Sequence, residues 1–98
     1  MSADVPPRLR LEAALLAALD SGAAGLTGVT ARARLQVPGY LHLLDHETAV
    51  RAALRRLDAE GWLVVEQPGP NPRYSLTLAG HDRHRWHVQQ GTLAAAHG

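Results

Sequence analysis

Arginine side chains at helical spacing near the middle of this chain could bind nucleic acid. A guanidinium group can pair two N–H donors with a phosphate or with the edge of a guanine base. Thr48 adds a hydroxyl group, and small residues between the arginines would let a base pair approach closely. The candidate DNA contacts are Thr48, Arg51, Ala52, Arg55, Arg56 and Arg73. The alternative for the same residues is an ordinary solvated basic face.

Three histidines near the C-terminus suggest a second kind of chemistry. His81, His84 and His87 recur every three residues, so two imidazoles could share a helix face and bind one Zn²⁺ or Ni²⁺ ion. Residues at this spacing drift around a helix, which makes it awkward for all three to bind the same ion. We therefore predict no metal site and no other cofactor, and we interpret the histidines as structural.

No group of residues has the pattern of a catalytic site. The carboxylates of Asp58 and Glu60 do not share a helix face. Asp45 is better placed to cap a helix than to act with His42 or His46. The chain has no cysteine, which excludes disulfides, thiolate metal ligands and cysteine nucleophiles. Enzyme activity is therefore not predicted.

Most of the candidate DNA contacts lie on a segment with the pattern of one amphipathic helix, residues 46–60, which we name the recognition helix. Its apolar stripe recurs at i, i+3, i+4 and i+7 and consists of Val50, Ala53, Leu54 and Leu57. At about 100° per residue, Thr48 and Arg55 fall on the opposite face. Asp45 is predicted to cap the first turn, and Gly61 to end the helix with a positive φ.

A short β-hairpin is predicted directly after the recognition helix. Residues 62–66 are β-prone, and residues 73–77 alternate as a second strand should. The loop between them, residues 67–72, contains three prolines and a glycine, which break regular structure. Helix, strand, turn-rich loop and strand in this order are the layout of a winged helix.

With this layout the chain resembles the winged helix-turn-helix regulators of the PadR family. The resemblance rests on a helix that ends in Arg-Leu-x-x-Glu-Gly and a hairpin that closes on Arg-Tyr-x-Leu-Thr-x-x-Gly. The residues of this chain that match are Arg56, Leu57, Glu60, Gly61, Arg73, Tyr74, Leu76, Thr77 and Gly80. The resemblance covers roughly residues 8–90, and MarR-like and ArsR-like repressors share parts of the pattern.

The resemblance implies both a fold and a mode of assembly. The expected fold is mainly α with a small β-hairpin wing. It has a three-helix core, a two- or three-stranded wing sheet and an extra C-terminal helix over residues 78–90. In PadR-like proteins the C-terminal helix is the dimer contact, and the resemblance implies that role here. The residues expected at the dimer contact are Leu78, Trp86, Leu11 and Leu15.

Composition and length favour a single folded domain. Hydrophobic residues make up 46% of the 98 residues, which argues against disorder. We divide the chain into a flexible arm (residues 1–7), a winged-helix domain (residues 8–90) and a flexible tail (residues 91–98). The chain shows no secretory signal and no apolar run near the ~20 residues of a membrane span, so a cytoplasmic location is expected.

Net charge is a weak indicator of nucleic-acid binding in this chain. The formal net charge is +1, and all ten basic residues are arginine, a bias that a GC-rich genome explains. The distribution is more informative. The recognition helix and the hairpin carry several arginines, whereas most acidic residues lie elsewhere or at helix starts, where the macrodipole favours them.

The first half of the chain is predicted to hold two more helices, over residues 8–20 and 29–35. Residues 26–28 between them are expected to form a turn or the short strand that often pairs with a wing. The connector over residues 36–44 is longer than a tight helix-turn-helix requires and is strongly apolar. We interpret it as packed beneath the recognition helix; the alternative is an exposed patch for a partner or small ligand.

These patterns together predict sequence-specific binding of double-stranded DNA by a homodimeric transcriptional regulator, with repression favoured. The recognition helix would enter the major groove, and the wing (residues 62–77) would contact the backbone or the minor groove. A small-molecule effector is a further candidate partner, and no membrane contact is expected. The alternative is a winged helix that binds another protein and no DNA, which the near-zero net charge and the proline-rich wing favour slightly.

Overall fold

The computed structural model describes residues 5–93, so parts of the predicted arm and tail, residues 1–4 and 94–98, lie outside the described residues. The first half of the described chain forms two helices and one very short strand. Helix α1 spans Pro7–Asp20, strand β1 Ala24–Gly25 and helix α2 Leu26–Gln36. A proline in the first turn suits α1, because the proline ring presets a helical φ and the missing N–H has no partner there in any helix.

The second half begins with a short 3₁₀ helix, His42–Asp45, which is followed by α3, Glu47–Ala59. The hairpin consists of β2, Leu63–Val65, and β3, Arg73–Leu76. Helix α4 spans Leu78–Gln90, as predicted. Its first turn is capped by the residue before it: the Thr77 hydroxyl accepts a hydrogen bond from the Gly80 N–H at 3.0 Å.

The three strands form one antiparallel sheet in the order β1-β3-β2. Leu63 pairs with Leu76, and Val65 pairs with Tyr74. On the other edge of β3, Ala24 also pairs with Tyr74. The short strand that closes the wing sheet therefore lies just before the predicted position at residues 26–28, which instead form the first turn of α2.

One apolar core joins the helices to the sheet, and α1 lies at its centre. α1 contacts α2, α3, α4 and β3. Leucine, valine and alanine supply almost all of the core, as expected for a chain without phenylalanine. The architecture, four helices and a small three-stranded antiparallel sheet, confirms the predicted winged helix.

The connector between α2 and α3 packs into the core, as its apolar composition predicts. Val37, Leu41 and Leu44 are 7%, 5% and 3% exposed. Tyr40 is the exception, because its ring lies 72% exposed on the surface. The interpretation as a packed segment is therefore confirmed for the leucines and the valine.

The predicted cap of the recognition helix is wrong. The N-cap of α3 is His46, which makes no side-chain cap bond. Asp45 instead ends the 3₁₀ helix, and its carboxylate accepts hydrogen bonds from the Tyr40 hydroxyl and from Arg34, the latter at 2.7 Å. These bonds from Tyr40 and Arg34 hold the pKa of Asp45 below its ordinary value. The carboxylate is thus used to tie the connector to α2.

Within residues 5–93, no helix combines the length and the hydropathy that crossing a bilayer requires.

Candidate nucleic-acid interface

The recognition helix, α3, has the two faces that its periodicity predicts. Its buried stripe consists of four side chains that are at most 1% exposed, namely Val50, Ala53, Leu54 and Leu57. On the opposite side Thr48, Ala52 and Arg55 are exposed, and Arg51 is partly exposed. The predicted rotation of this helix about its own axis is therefore confirmed.

The end of α3 determines where the hairpin begins. Gly61 has a φ of +81°, a conformation that favours glycine. The Gly61 N–H donates to the Asp58 carbonyl, and the Trp62 N–H donates to the Leu57 carbonyl, both at 3.0 Å. This pair of bonds is a Schellman motif, which reverses the chain and starts the hairpin beside α3.

The hairpin loop lies alongside α3 and forms two adjacent grooves with it. In one groove, Arg51 and Arg55 of α3 face Pro68 and Pro72 of the loop. In the other groove, Arg51 and Arg73 both line the wall near the start of α2. The structure thus brings Arg51, Arg55 and Arg73 onto one surface, as a helix followed by a wing implies.

Arg51 and Arg55 differ in the partners they have within that surface. The Arg51 Nε donates to the Glu47 carboxylate at 3.0 Å, one helical turn earlier. Both partners are largely solvent-exposed, so the pair is weak and its arginine can exchange the carboxylate for a phosphate. Arg55 forms no ion pair or side-chain hydrogen bond within residues 5–93, so its exposed guanidinium has no protein partner there.

Arg73 at the base of the wing uses a partner that sequence patterns did not indicate. Its guanidinium donates to the carbonyl of Ala23 at 3.3 Å, in the segment that leads into β1. Glu66, whose carboxylate was one of two possible partners for this side chain, instead donates its backbone N–H to the Arg73 carbonyl at 2.7 Å. The side chain of Arg73 is therefore held near the start of α2, beside the groove.

Arg56 lies apart from the other candidate contacts. At about 100° per residue it is displaced from Arg51 by roughly 140° around α3, on the flank away from the hairpin loop. Its side chain is partly buried. If it contacts DNA, it does so on the opposite side of the helix from the wing.

Sequence patterns missed the polar residues that complete the groove. Thr27 in the first turn of α2 and Gln67 and Asn71 of the hairpin loop line it together with Arg51 and Arg73. The signal for Thr27 was its position two residues after Gly25, the N-cap of α2. That signal could not be used because residues 26–28 were predicted as a turn or strand.

The three histidines of α4 each lie beside a carboxylate of α1, and His81 and His84 share the same one. His81 Nδ1 lies 3.0 Å from Asp20 Oδ1, and His84 Nε2 lies 3.7 Å from Asp20 Oδ2. His87 is 3% exposed and contacts the carboxylate of Glu12. In the part of the chain that the structure describes, no group of three or more such side chains has an arrangement that could hold a metal ion.

The four residues predicted at the dimer contact divide into two groups. Leu78 is 78% exposed and Trp86 37% exposed on α4, so both are accessible to a partner. Leu11 and Leu15 are 3% and 0% exposed, because α1 is covered by the other helices and by β3. The prediction that these two leucines contact a partner is therefore wrong for this fold: their surface is used within the protomer.

Comparisons with known proteins agree with this architecture. A solved structure of a transcriptional regulator from Clostridium thermocellum superposes with a TM-score of 0.70 over 92% of this chain and 86% of that chain. The sequence identity is 18%, so this likeness shows the fold alone. No curated protein sequence matches the chain significantly.

A family model gives the more specific result. The model described as PaaX-like protein matches residues 30–80, from the middle of α2 through α3 and the hairpin to the first turn of α4. The winged-helix class that the motifs indicated is thereby supported, whereas the PadR branch is not shown. Because the match spans more than half of the 98 residues, the chain belongs to the PaaX-like protein family.

Proposed function

We propose that this protein is a transcriptional regulator that binds double-stranded DNA as a homodimer, with α3 in the major groove. The observation that carries the proposal is the outer face of α3, where exposed Arg55 and the exchangeable Arg51 lie next to the wing. A helix with small residues between guanidinium groups fits the major groove, because bulk on that face would keep the backbone away from base edges. The family match supports a regulatory role, and a cytoplasmic location is part of the proposal.

The proposed contacts follow from the positions of the side chains. Thr48, Arg51 and Arg55 would contact base edges, and Ala52 would leave room for them. The wing would lie on the backbone or in the minor groove, and Arg73 would bind a phosphate near the start of α2. Arg56 would bind the backbone on the other flank of α3. Repression is the favoured sign of regulation, since a bound dimer of this size would chiefly obstruct other proteins.

The direct test of DNA binding is a salt series with the DNA upstream of the protein's own coding sequence. Phosphate contacts release counterions, so the logarithm of the affinity should fall linearly with the logarithm of salt concentration. Unrelated DNA of the same length gives the nonspecific affinity. Equal affinity for both DNAs at every salt concentration would contradict sequence-specific recognition.

Arg55→Ala is expected to weaken specific DNA binding by about 1–3 kcal/mol and leave the fold intact. Arg55 is exposed and has no partner within residues 5–93, so its removal should affect only the bound state. Affinities for the upstream DNA and unrelated DNA are measured by fluorescence anisotropy. Arg56→Ala should weaken binding to both DNAs and flatten the salt dependence.

Arg8→Ala is the matched control for this prediction. Arg8 is an exposed arginine in the first turn of α1 that lines neither groove beside α3, and the variant makes the same change in net charge. If Arg55→Ala and Arg56→Ala reduce affinity no more than Arg8→Ala does, the DNA-binding face has been misassigned.

The homodimer is proposed to form through the outer face of α4. Leu78 and Val88 are 78% and 66% exposed near the two ends of this helix. Between them, exposed Asp82 and Arg85 form an ion pair at i, i+3. Two copies of α4 packed antiparallel about a two-fold axis would place each Leu78 near the partner's Val88, and each Asp82 near the partner's Arg85. The face is thus complementary to itself in both apolar and charged groups.

Opposite charge substitutions test this arrangement. Asp82→Arg alone and Arg85→Asp alone should each weaken self-association about tenfold or more, because like charges would then face each other across the axis. An equimolar mixture of the two variants should restore a dimer, since every pair across the axis is then of opposite charge. Light scattering and sedimentation measure the mass. A wild-type monomer at micromolar concentration with and without DNA would contradict the dimer, and two unaffected single variants would contradict this interface.

A shallow depression between α1 and α4 is where a small-molecule effector would bind such a regulator. Asp20, His81, His84 and Arg85 line it, close to the proposed dimer contact. A ligand there would touch both helices and could alter their spacing. This part of the proposal depends on the dimer. It is tested by measuring whether a bound ligand changes the mass of the protein assembly or the affinity of the protein for DNA.

The second candidate function is a winged helix that binds another protein and no DNA. The ion pair between Arg51 and Glu47 favours it, because it neutralises part of the basic face. The wing loop also favours it, since it carries three prolines and no basic residue. Loss of affinity in Arg55→Ala would exclude this alternative, whereas absence of any salt-dependent DNA binding would favour it.

A further inference from the structure

Arg83 of α4 occupies a position that DNA binding and dimerisation leave unexplained. Its side chain is one quarter exposed and points into the protomer rather than toward the outer face of α4. The Nε donates to the Glu12 carboxylate of α1 at 2.8 Å. The guanidinium carbon lies 4.0 Å from the ring centre of Trp86 and 4.7 Å from that of Trp62. The side chain is therefore restrained both by a carboxylate and by two indole rings.

The carboxylate that holds Arg83 is itself fixed. Glu12 is 9% exposed and accepts hydrogen bonds from both Arg83 and His87. Burial by itself would raise the pKa of Glu12, but the bonds and charges of His87 and Arg83 outweigh it and hold the pKa below its ordinary value. His87 is in turn held by Thr92, whose hydroxyl lies 2.8 Å from His87 Nδ1. Glu12 is therefore an ionised, immobile anchor for the guanidinium.

Trp62, the residue on which Arg83 stacks, lies where three elements meet. Its N–H closes α3 by donating to Leu57, and its successor, Leu63, is the first residue of β2. Its carbonyl accepts from the Thr77 N–H at 3.2 Å, directly before α4. The angle between the recognition helix and the hairpin therefore depends on how Trp62 is held.

We propose that Arg83 is a positioning residue that holds Trp62 and thereby sets the angle between α3 and the wing. Glu12 fixes the guanidinium from α1, and the Trp86 ring packs against it as well. α4 is thus connected to the surface that contacts DNA, although no residue of α4 lies on that surface. The consequence for DNA affinity rests on the proposed function, whereas the clamping of Trp62 does not.

Arg83→Lys separates this role from a general contribution to stability. Lysine keeps the positive charge beside Glu12 but lacks the planar guanidinium that packs against the two indole rings. We expect amide hydrogen exchange at Trp62 and Thr77 to become about tenfold faster under conditions where the variant is fully folded. Affinity for the upstream DNA should fall about tenfold, the size of a typical coupling between separate sites. Arg8→Lys is the matched control and should change neither quantity.

The outcomes distinguish the proposal from its alternatives. Faster exchange at Trp62 and Thr77, with unchanged protection in the centre of α1, supports the clamp. Equal acceleration at all amides shows only a loss of global stability and overturns it, as does unchanged exchange at the junction. If the wild-type protein binds no DNA, the proposed function fails, and the exchange pattern still decides whether Arg83 holds Trp62.

Discussion

Leu57→Ala is expected to lower the free energy of unfolding by about 2–5 kcal/mol. Leu57 is 0% exposed in the centre of the apolar stripe of α3, where this helix meets α1. The surrounding core is aliphatic, and few large side chains are available to move into the space that the substitution leaves. A loss of this size is a large fraction of the 5–15 kcal/mol by which a typical small domain is stable.

Urea denaturation of Leu57→Ala and of Leu35→Ala measures this effect against a matched control. Leu35 lies on α2 with its side chain 85% exposed, so the same truncation there should change stability by less than about 0.5 kcal/mol. DNA binding by Leu57→Ala should be lost in parallel with folding and regained at lower temperature. An unchanged denaturation midpoint would show that Leu57 is not buried, and the faces assigned to α3 would then be wrong.

Gly80→Ala is expected to destabilise the protein by about 1–3 kcal/mol or more, although alanine is the better helix former. A Cβ at position 80 would lie 1.8 Å from the carbonyl oxygen of Trp62 and 2.9 Å from its carbonyl carbon. Both are backbone atoms, so no side-chain rotation can relieve the clash. α4 would have to move away from the junction between α3 and β2.

Gly28→Ala is the control for the effect of alanine on a helix. Gly28 lies in the first turn of α2, where a Cβ would meet only the Cβ of Ala24 at 3.4 Å. That substitution should be neutral or stabilise the protein by up to about 1 kcal/mol. Thermal and urea unfolding of both variants measure these changes in stability. If Gly80→Ala is as stable as Gly28→Ala, α4 does not pack against Trp62 as closely as the structure has it.

Hydrophobic periodicity and turn chemistry were sufficient to predict the recognition helix and the hairpin. The stripe that includes Leu54 and Leu57 determines which face of α3 is buried, because an amphipathic helix has one way to bury a single apolar stripe. Gly61 marked the end of the helix, because few other residues adopt its positive φ. The exposure of Thr48 and Arg55 followed from the same geometry. These features are local and need no knowledge of what packs against them.

Polar groups with several available partners were not predictable in this way. Asp45 could have capped α3, yet its carboxylate pairs with Arg34 and Tyr40. Arg73 could have paired with Glu66, yet it donates to the carbonyl of Ala23. In both cases the sequence offers more than one partner, and the choice depends on which groups the fold brings within reach.

Gly80 shows the same limit for packing. By helix propensity alone Gly80 is unfavourable for α4, because glycine is a poor helix former. In the structure the absence of a Cβ there permits α4 to lie against the Trp62 carbonyl. A residue unfavourable for its own helix is thus required by a contact with a residue eighteen positions earlier in the chain.

The sequence by itself determined the helices, the hairpin, the buried face of α3 and the arginines that this helix exposes. Those properties depend on residues a few positions apart, whose relative geometry is set by the helix or strand. Only the tertiary structure decided that Arg73 donates to the Ala23 carbonyl, that Leu11 and Leu15 are covered within the protomer rather than by a partner, and that Arg83 stacks on Trp62. Those properties depend on how separate elements pack, which is set by the complementarity of whole surfaces rather than by any local pattern.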